Sequence, residues 1–155
     1  MKIYIGADHR GFDIKKNIIK NLEKRSYEIV DVGIHSADIK SFDYPRIAYR
    51  VASQVVESRN NRGILVCMTG IGQAIAANKV KGAYAAVCYN SKVAALSRQH
   101  NNSNILVLGA NFVKKSELQK IVDIWLSSEF EGSKQIRHKR RVGQIKKIEK
   151  GLKLK

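Results

Sequence analysis

Five short apolar runs, each of strand length, alternate along this chain with segments whose apolar residues recur at helical spacing. The runs are continuous rather than alternating apolar and polar, which is typical of strands covered on both faces. We expect strands at 3–7, 27–32, 63–67, 83–88 and 105–108. A repeating strand–helix order of this kind predicts an α/β fold with a five-stranded parallel sheet.

The helices are expected between and after these strands. Pro45 suits a first helical turn, and Ser116 with Gln119 has the spacing of a capping box. A loop is expected at 34–42. The predicted helices cover 12–22, 45–56, 73–79, 91–99, a segment opening at Ser116, and a basic C-terminal helix at about 135–150.

Length and composition narrow the class of protein. The 155 residues fit one domain, 1–155, with 134–155 as a basic C-terminal helix or tail. No stretch resembles a membrane span or a signal peptide, so a cytoplasmic location is expected. Two cysteines do not form a disulfide framework and are expected to be reduced.

The positive charge is concentrated near one end. Residues 134–155 hold ten Lys or Arg and one acid, so they carry nine of the sixteen net positive charges. Such a run is most often a solvated face, and its second interpretation is a site for an anionic phosphate. Nucleic-acid binding is a third interpretation, which the moderately basic remainder of the chain does not favour.

Three polar clusters follow or precede the expected strands. They are residues 6–12, 67–72 and 98–102. Ligands of parallel sheets bind beyond the carboxyl ends of the strands. We therefore expect all three clusters on that side of the sheet.

The second cluster contains the turn Thr69-Gly70-Ile71-Gly72 ahead of a helix. Such a turn can hold a phosphate or an oxyanion through backbone N–H groups, although a purely structural turn is equally open. A dinucleotide fingerprint is absent, because Ile75 occupies the third small-residue position and residues 58–116 contain no acid. The same lack of acids argues against magnesium, and zinc would require histidines brought together from distant places.

Cys67 comes at the end of the third strand, directly before this turn. A cysteine there is often a small buried apolar residue. Its position ahead of helix-N-terminal amides instead predicts a lowered thiol pKa and a role as a base for proton abstraction at carbon. Cys88 lacks these neighbours, and core packing is expected for it.

The histidines and arginines complete the candidate residues. His9 and His100 are expected among polar groups near strand ends, whereas His35 lies in a loop and is expected to be solvated. Arg137 and Arg141 are four residues apart, on one face of the basic helix. They could clamp a phosphate, or they could simply form a solvated helix end.

Six motifs along nearly the whole chain resemble the type B ribose-5-phosphate isomerases, in the family that also contains the galactose-6-phosphate isomerase subunits. The motifs are Gly-x-Asp-His-x-Gly-Phe at 6–12, Asp-Tyr-Pro at 43–45, Gly-Ile-Leu-Val-Cys-x-Thr-Gly-Ile-Gly at 63–72, Ile-Ala-Ala-Asn-Lys at 75–79, Ser-Arg-Gln-His-Asn at 97–101 and Arg-His-x-x-Arg-Val at 137–142.

The resemblance implies a Rossmann-like three-layer domain, a homodimer that could pair into a tetramer, and interconversion of ribose 5-phosphate and ribulose 5-phosphate without metal or cofactor. It implies that Cys67 is the base, that His100 helps to open the sugar ring, and that Asp8 lies on the ring oxygens. Thr69 and nearby amides would hold the enediolate. In such dimers both subunits contribute to the site.

The resemblance also implies contacts with the sugar phosphate. The residues concerned are Asp8, His9, Tyr44, Met68, Thr69, Gly70, Ile71, Gly72, Asn101, Arg137, His138 and Arg141.

Four positions and one segment depart from the family pattern or separate its branches. Gln73 stands where one branch has a glutamate base, which indicates the cysteine branch. Met68 replaces a usual glycine and would be strained at positive φ; Ala74 replaces a serine; Asn111 replaces a phosphate-binding arginine. Residues 133–136 lengthen the segment before Arg137 by about three residues.

Other functions stay open on the sequence. A related substrate, such as allose 6-phosphate or a 6-deoxyhexose phosphate, is the main alternative. A nucleic-acid-binding protein on the same fold and a silent partner subunit of a hetero-oligomer are the others.

Overall fold

A computed structural model describes residues 1–25, 27–35 and 43–154 of the chain. Within them, parallel strands form a sheet in the order β2-β1-β3-β5-β4. The strands are β1 (Lys2–Ala7), β2 (Glu28–Asp31), β3 (Arg62–Cys67), β4 (Ala85–Val87) and β5 (Ile105–Gly109). The predicted α/β fold with a parallel sheet is confirmed. Most of the loop expected at 34–42 lies outside the described residues.

The helices follow the sequence prediction with shifted ends. They are α1 (Phe12–Glu23), α2 (Tyr44–Val56), α3 (Ile71–Ala77), α4 (Ser91–Asn101), α5 (Lys115–Ser127) and α6 (Ile136–Glu149). The predicted capping box is wrong, because α5 begins one residue before Ser116 and its N-cap is Lys114, which makes no side-chain cap. α3 begins two residues earlier than predicted, so Ile71 and Gly72 belong to the helix.

Two apolar cores cover the two faces of the sheet. On one face α1 and α5 pack on strand residues such as Ile5, Val66 and Leu106, with the buried Trp125. On the other face α2 and α3 pack on residues such as Leu65 and Val107. Successive residues of one strand serve opposite cores, which explains why the strands read as continuous apolar runs.

The basic helix α6 is packed against the domain at both ends. Near its start His138 and Val142 are buried. At its end the Glu149 carboxylate accepts hydrogen bonds from the Gly82 amide at 2.9 Å and the Tyr84 hydroxyl at 3.2 Å. Burial, with Glu149 adding to it, raises the pKa of Tyr84 to about 12. The segment is therefore not simply a solvated run of charge.

No helix among the described residues is long and apolar enough to cross a membrane.

Candidate active site

Asp8 and Cys67 lie side by side at the carboxyl edge of the sheet, because β1 and β3 are adjacent and in register there. The Asp8 amide donates to the Val66 carbonyl at 3.3 Å. The Asp8 carboxylate accepts from the amides of Arg10 and Gly11 at 3.0 and 3.1 Å. These contacts fix a buried carboxylate beside the thiol. His9 follows it and is exposed, with its Nε2 accepting from Arg10 at 3.2 Å.

The turn after Cys67 is shaped by two glycines. Gly70 has φ +82°, a conformation that an L side chain rarely adopts. A Cβ on Gly72 would lie 2.6 Å from the Tyr44 ring, so Tyr44 covers the turn only because this residue has no side chain. The Thr69 hydroxyl accepts from the Ile71 amide at 3.2 Å. The Asp-Tyr-Pro motif and the glycine turn therefore meet at this edge.

Met68 is not strained. Among the described non-glycine residues, Asn102 alone has a positive φ, of 52°. The condition under which methionine would be strained at this position, a positive φ, is therefore not met. Its side chain is 40% exposed beside Cys67.

The protonation of Cys67 differs from the sequence prediction. Burial is the largest cause that raises the pKa of its thiol, and the Asp8 carboxylate raises it further. The Gly70 and Thr69 amides lower the pKa, as expected from the turn, but they do not outweigh burial. The predicted lowering of this pKa is wrong for the isolated chain, because a thiolate would be partly desolvated beside a carboxylate.

His100 and Asn101 lie at the opposite edge of the sheet. They end α4, a helix that runs back from the carboxyl edge to the amino end of β5. There the Asn104 carbonyl accepts from the Gly63 amide at 2.9 Å, close to the start of β3. Cys67 is at the far end of that strand, roughly 13 Å from Gly63 at the rise of an extended chain. The expectation that all three clusters share one edge is wrong for the third.

His100 is joined at this second edge by α6. The rings of His100 and His138 stack with centroids 4.2 Å apart and planes inclined by 13°. His138 is 2% exposed. Burial lowers its pKa, and His100, Arg137 and Arg141 lower it further. The arginine pair of the predicted phosphate clamp thus belongs with His100 and not with Cys67.

The remaining cysteine and histidine behave as expected. Cys88 is fully buried, and burial raises its pKa to about 11. His35 is 74% exposed, 3.8 Å from Asp31. Asn111, at the position of the missing arginine, is exposed.

Arg98 is a residue whose role the sequence did not reveal. It is 4% exposed, and burial lowers its pKa to about 10. Its guanidinium donates to the Ser128 carbonyl, the Asn102 side chain and the Ser103 carbonyl. These bonds fix the end of α4 that carries His100. In the sequence, the position of Arg98 two residues before His100 is the one feature that could have indicated this role.

Gln73, which the sequence marked only as a difference between branches of the family, has an unusual environment. It follows Gly72, is fully buried, and neither polar atom of its side-chain amide has a hydrogen-bond partner among the described residues. A buried unpaired amide is costly, so this position is unusual within the core.

The family assignment follows from comparison with known proteins. The model of the ribose/galactose isomerase family matches residues 3–145. The chain belongs to this family. A curated relative in the ribose/galactose isomerase family, ribose-5-phosphate isomerase B of Escherichia coli, is 43% identical over 148 residues, which cover 96% of each chain.

Solved structures of the ribose/galactose isomerase family superpose on nearly all of the chain. Ribose-5-phosphate isomerase B of Clostridium thermocellum has a TM-score of 0.91 at 48% identity, covering 97% of this chain and 99% of that one. The Mycoplasma genitalium enzyme, crystallised with bound ribulose 5-phosphate, has a TM-score of 0.90 at 44% identity and covers 96% of both chains. The resemblance stated from the motifs is confirmed.

Proposed function

We propose that this chain is an aldose–ketose isomerase that interconverts ribose 5-phosphate and ribulose 5-phosphate, with Cys67 as the base. The observation that carries this is the thiol at the carboxyl edge, between the Asp8 carboxylate and the Thr69–Gly72 turn. The ribulose 5-phosphate bound to the Mycoplasma genitalium relative supports the same substrate class. Two free cysteines accord with a cytoplasmic enzyme.

The proposed reaction is a proton transfer between neighbouring carbons. The thiolate of Cys67 takes the proton from C2 of the open-chain aldose, and the C–H electron pair forms the enediolate. The same thiol then returns the proton to C1 while the hydroxyl proton moves from O2 to O1, which gives the ketose with no net gain or loss of protons or electrons. The Thr69 hydroxyl and the backbone amides of the turn would stabilise the negative oxygen.

Burial and the Asp8 carboxylate raise the pKa of the Cys67 thiol, so in the isolated chain they favour its protonated form. The thiol must lose this proton before it can act as a base. We therefore expect activity to rise with pH on the alkaline side of neutrality.

The separation of the two edges supports a shared site in a homodimer. His100, Asn101, Arg137 and Arg141 cannot reach Cys67 of their own chain, so we propose that they act on the partner's thiol edge. Two exposed apolar sets are available for the interface. Ile71, Ile75, Tyr89 and Phe112 flank the thiol edge, while Ile145 and Ile148 lie on α6.

The test of the function is the turnover of ribose 5-phosphate by the untagged protein in the presence of a chelator. Cys67→Ala should abolish turnover, whereas Cys88→Ala, which removes the other buried thiol, should retain it. Wild-type kcat in the Cys67→Ala protein would contradict the proposed base. Allose 6-phosphate and a 6-deoxyhexose phosphate, assayed alongside, distinguish the main alternative substrates.

Nucleic-acid binding is the alternative from another class. The anchoring of α6 through His138 and Glu149 gives the basic segment a packing role and weakens this alternative. Salt-resistant binding of RNA would favour it. A folded protein without activity alone would instead indicate a silent partner subunit.

A further inference from the structure

We propose that His100, Glu131 and His138 form a binding site for a divalent transition-metal ion such as Zn²⁺. The potential ligand atoms of these three side chains all lie within 4.8 Å of one another. Two imidazoles and one carboxylate are a donor set that zinc accepts, with a fourth position left for water. The sequence gives no sign of this site, because the ligands come from α4, from the connection before α6, and from α6 itself.

The backbone around Glu131 holds the three segments together. The Glu131 amide donates to the Gln99 carbonyl at 3.0 Å, which ties the connection to the residue before His100. The Glu131 carbonyl accepts from the Gln135 amide at 2.7 Å, and the His138 amide donates to the Gln135 carbonyl at 2.9 Å. The fold therefore holds together the three segments that carry the ligands before any ion arrives.

His138 supplies a second, independent observation. Its ring is almost completely buried, and its Nε2 has no hydrogen-bond partner within the part of the chain that the structure describes. A buried ring nitrogen without a partner is costly to keep, and coordination of a metal ion would satisfy it. Glu131 is partly buried beside it and supplies the negative charge that a cation requires.

Two features limit the affinity. The stacked rings of His100 and His138 are nearly parallel, so their lone pairs do not converge and His100, the less buried ring, must rotate for both to bind one ion. The positive charges of Arg137 and Arg141 near His138 also oppose a cation. We expect micromolar binding, weaker than that of a structural zinc site.

Metal binding would inhibit the isomerase, and this consequence rests on the proposed function. His100 and His138 are both among the residues assigned to the sugar phosphate, and an ion would hold them away from it. Zinc would then act as a reversible inhibitor.

The binding test is a calorimetric titration of untagged Cys67→Ser protein with Zn²⁺, because that substitution removes the partly buried thiol as a competing ligand. A parallel titration with Co²⁺ reports the ligand geometry through its visible absorption. We expect one ion per chain. Glu131→Gln and His138→Asn should each weaken binding by at least roughly tenfold, while the matched controls Glu129→Gln and His35→Asn should leave it unchanged.

Absence of a saturable binding event, or binding that survives both Glu131→Gln and His138→Asn in folded protein, would overturn the proposal. Neither result depends on isomerase activity, so failure of the site and failure of the proposed function are distinguishable. In the wild-type enzyme, zinc should inhibit turnover and a chelator should restore it. Binding without inhibition would overturn only the inhibitory role.

Discussion

Cys67 ends β3 at the carboxyl edge of the sheet, whereas His100 ends α4 at the amino edge. Each has its own polar surroundings: Asp8 and the glycine turn for the thiol, and His138 with the arginines of α6 for the histidine. One chain therefore carries two polar clusters at different parts of its surface, and these are the half-sites of the proposed homodimer. A twofold axis would bring the Cys67 edge of each copy to the His100 edge of the other, which gives two complete sites per dimer.

Mixing two inactive variants tests this arrangement. Cys67→Ala and His100→Asn should each be inactive alone, because each dimer has the same defect in both sites. After subunit exchange at equal concentrations, half of the dimers are mixed and hold one intact site of two, so activity should return to about a quarter of wild type. The measurement is isomerase turnover before and after exchange.

The control for this mixing experiment is the pair Cys67→Ala with Cys67→Ser, which leaves every site without its base and should recover nothing. Mass spectrometry shows whether subunits have exchanged. If the mixture of Cys67→Ala and His100→Asn exchanges but recovers no activity, either both residues act in the site of one chain or one of them has no role in the reaction.

Asp8→Asn should shift the titration of Cys67 to lower pH. The Asp8 charge favours the neutral thiol over the thiolate and so raises its pKa. Asparagine keeps a carbonyl oxygen for the amides of Arg10 and Gly11 but removes that charge. Alkylation by iodoacetamide requires the thiolate. The pH at which the alkylation rate begins to rise should therefore be lower for the variant than for the wild type.

The alkylation profiles should be measured in a Cys88→Ala background, so that one thiol reacts. Asp13→Asn, which removes an exposed acid from the first turn of α1, is the matched control and should leave the profile unchanged. A profile that is the same with and without the Asp8 charge would show that burial alone sets the pKa.

Lys15→Ala should destabilise the protein by about 3 kcal/mol, the lower end of the range for breaking a buried ion pair. The Lys15 ammonium is 1% exposed and donates to both Asp31 carboxylate oxygens, at 2.9 and 2.7 Å, and to the Ile34 carbonyl. Asp31 is partly exposed, so water can solvate the remaining carboxylate in part.

Urea denaturation measures this free energy of unfolding. Lys20→Ala, an exposed lysine of the same helix, should change it by no more than about 0.5 kcal/mol. Equal effects of the two substitutions would show that the ion pair contributes nothing beyond a surface lysine.

Gln73→Met should raise the free energy of unfolding by about 1–2 kcal/mol. It replaces a buried amide, which has no partner among the described residues, by an apolar side chain of similar size. Thermal and urea unfolding of the variant and the wild type measure the difference. A loss of stability would indicate that the amide is satisfied, for example by a buried water.

Much of the fold could be predicted because each strand carries its own signal. The runs around Ile5, Leu65 and Val107 are apolar on both sides, and this local pattern identified parallel strands with helices on both faces. The ends of the elements were less predictable. Ser116 has the right neighbours for a capping box, yet α5 begins before it, because the start of a helix depends on where the preceding chain leaves the sheet.

Part of the candidate site could likewise be predicted from the sequence and part could not. The residues at the ends of β1 and β3 could be grouped from the sequence, since strand order and direction place Asp8 beside Cys67. The protonation of Cys67 could not be predicted from the sequence, because the burial that raises its pKa arises only when the domain packs around it.

The sequence by itself determined the parallel α/β fold, the family and the identities of the reactive side chains, since these depend on residue type and local periodicity. Only the tertiary structure decided that His100 stacks on His138 beside Glu131, and that this group lies a strand's length from Cys67. The physical reason is the direction in which a connecting helix runs. A helix that connects parallel strands must run back across the sheet, so residues at its end lie at the edge opposite to the residues that open it.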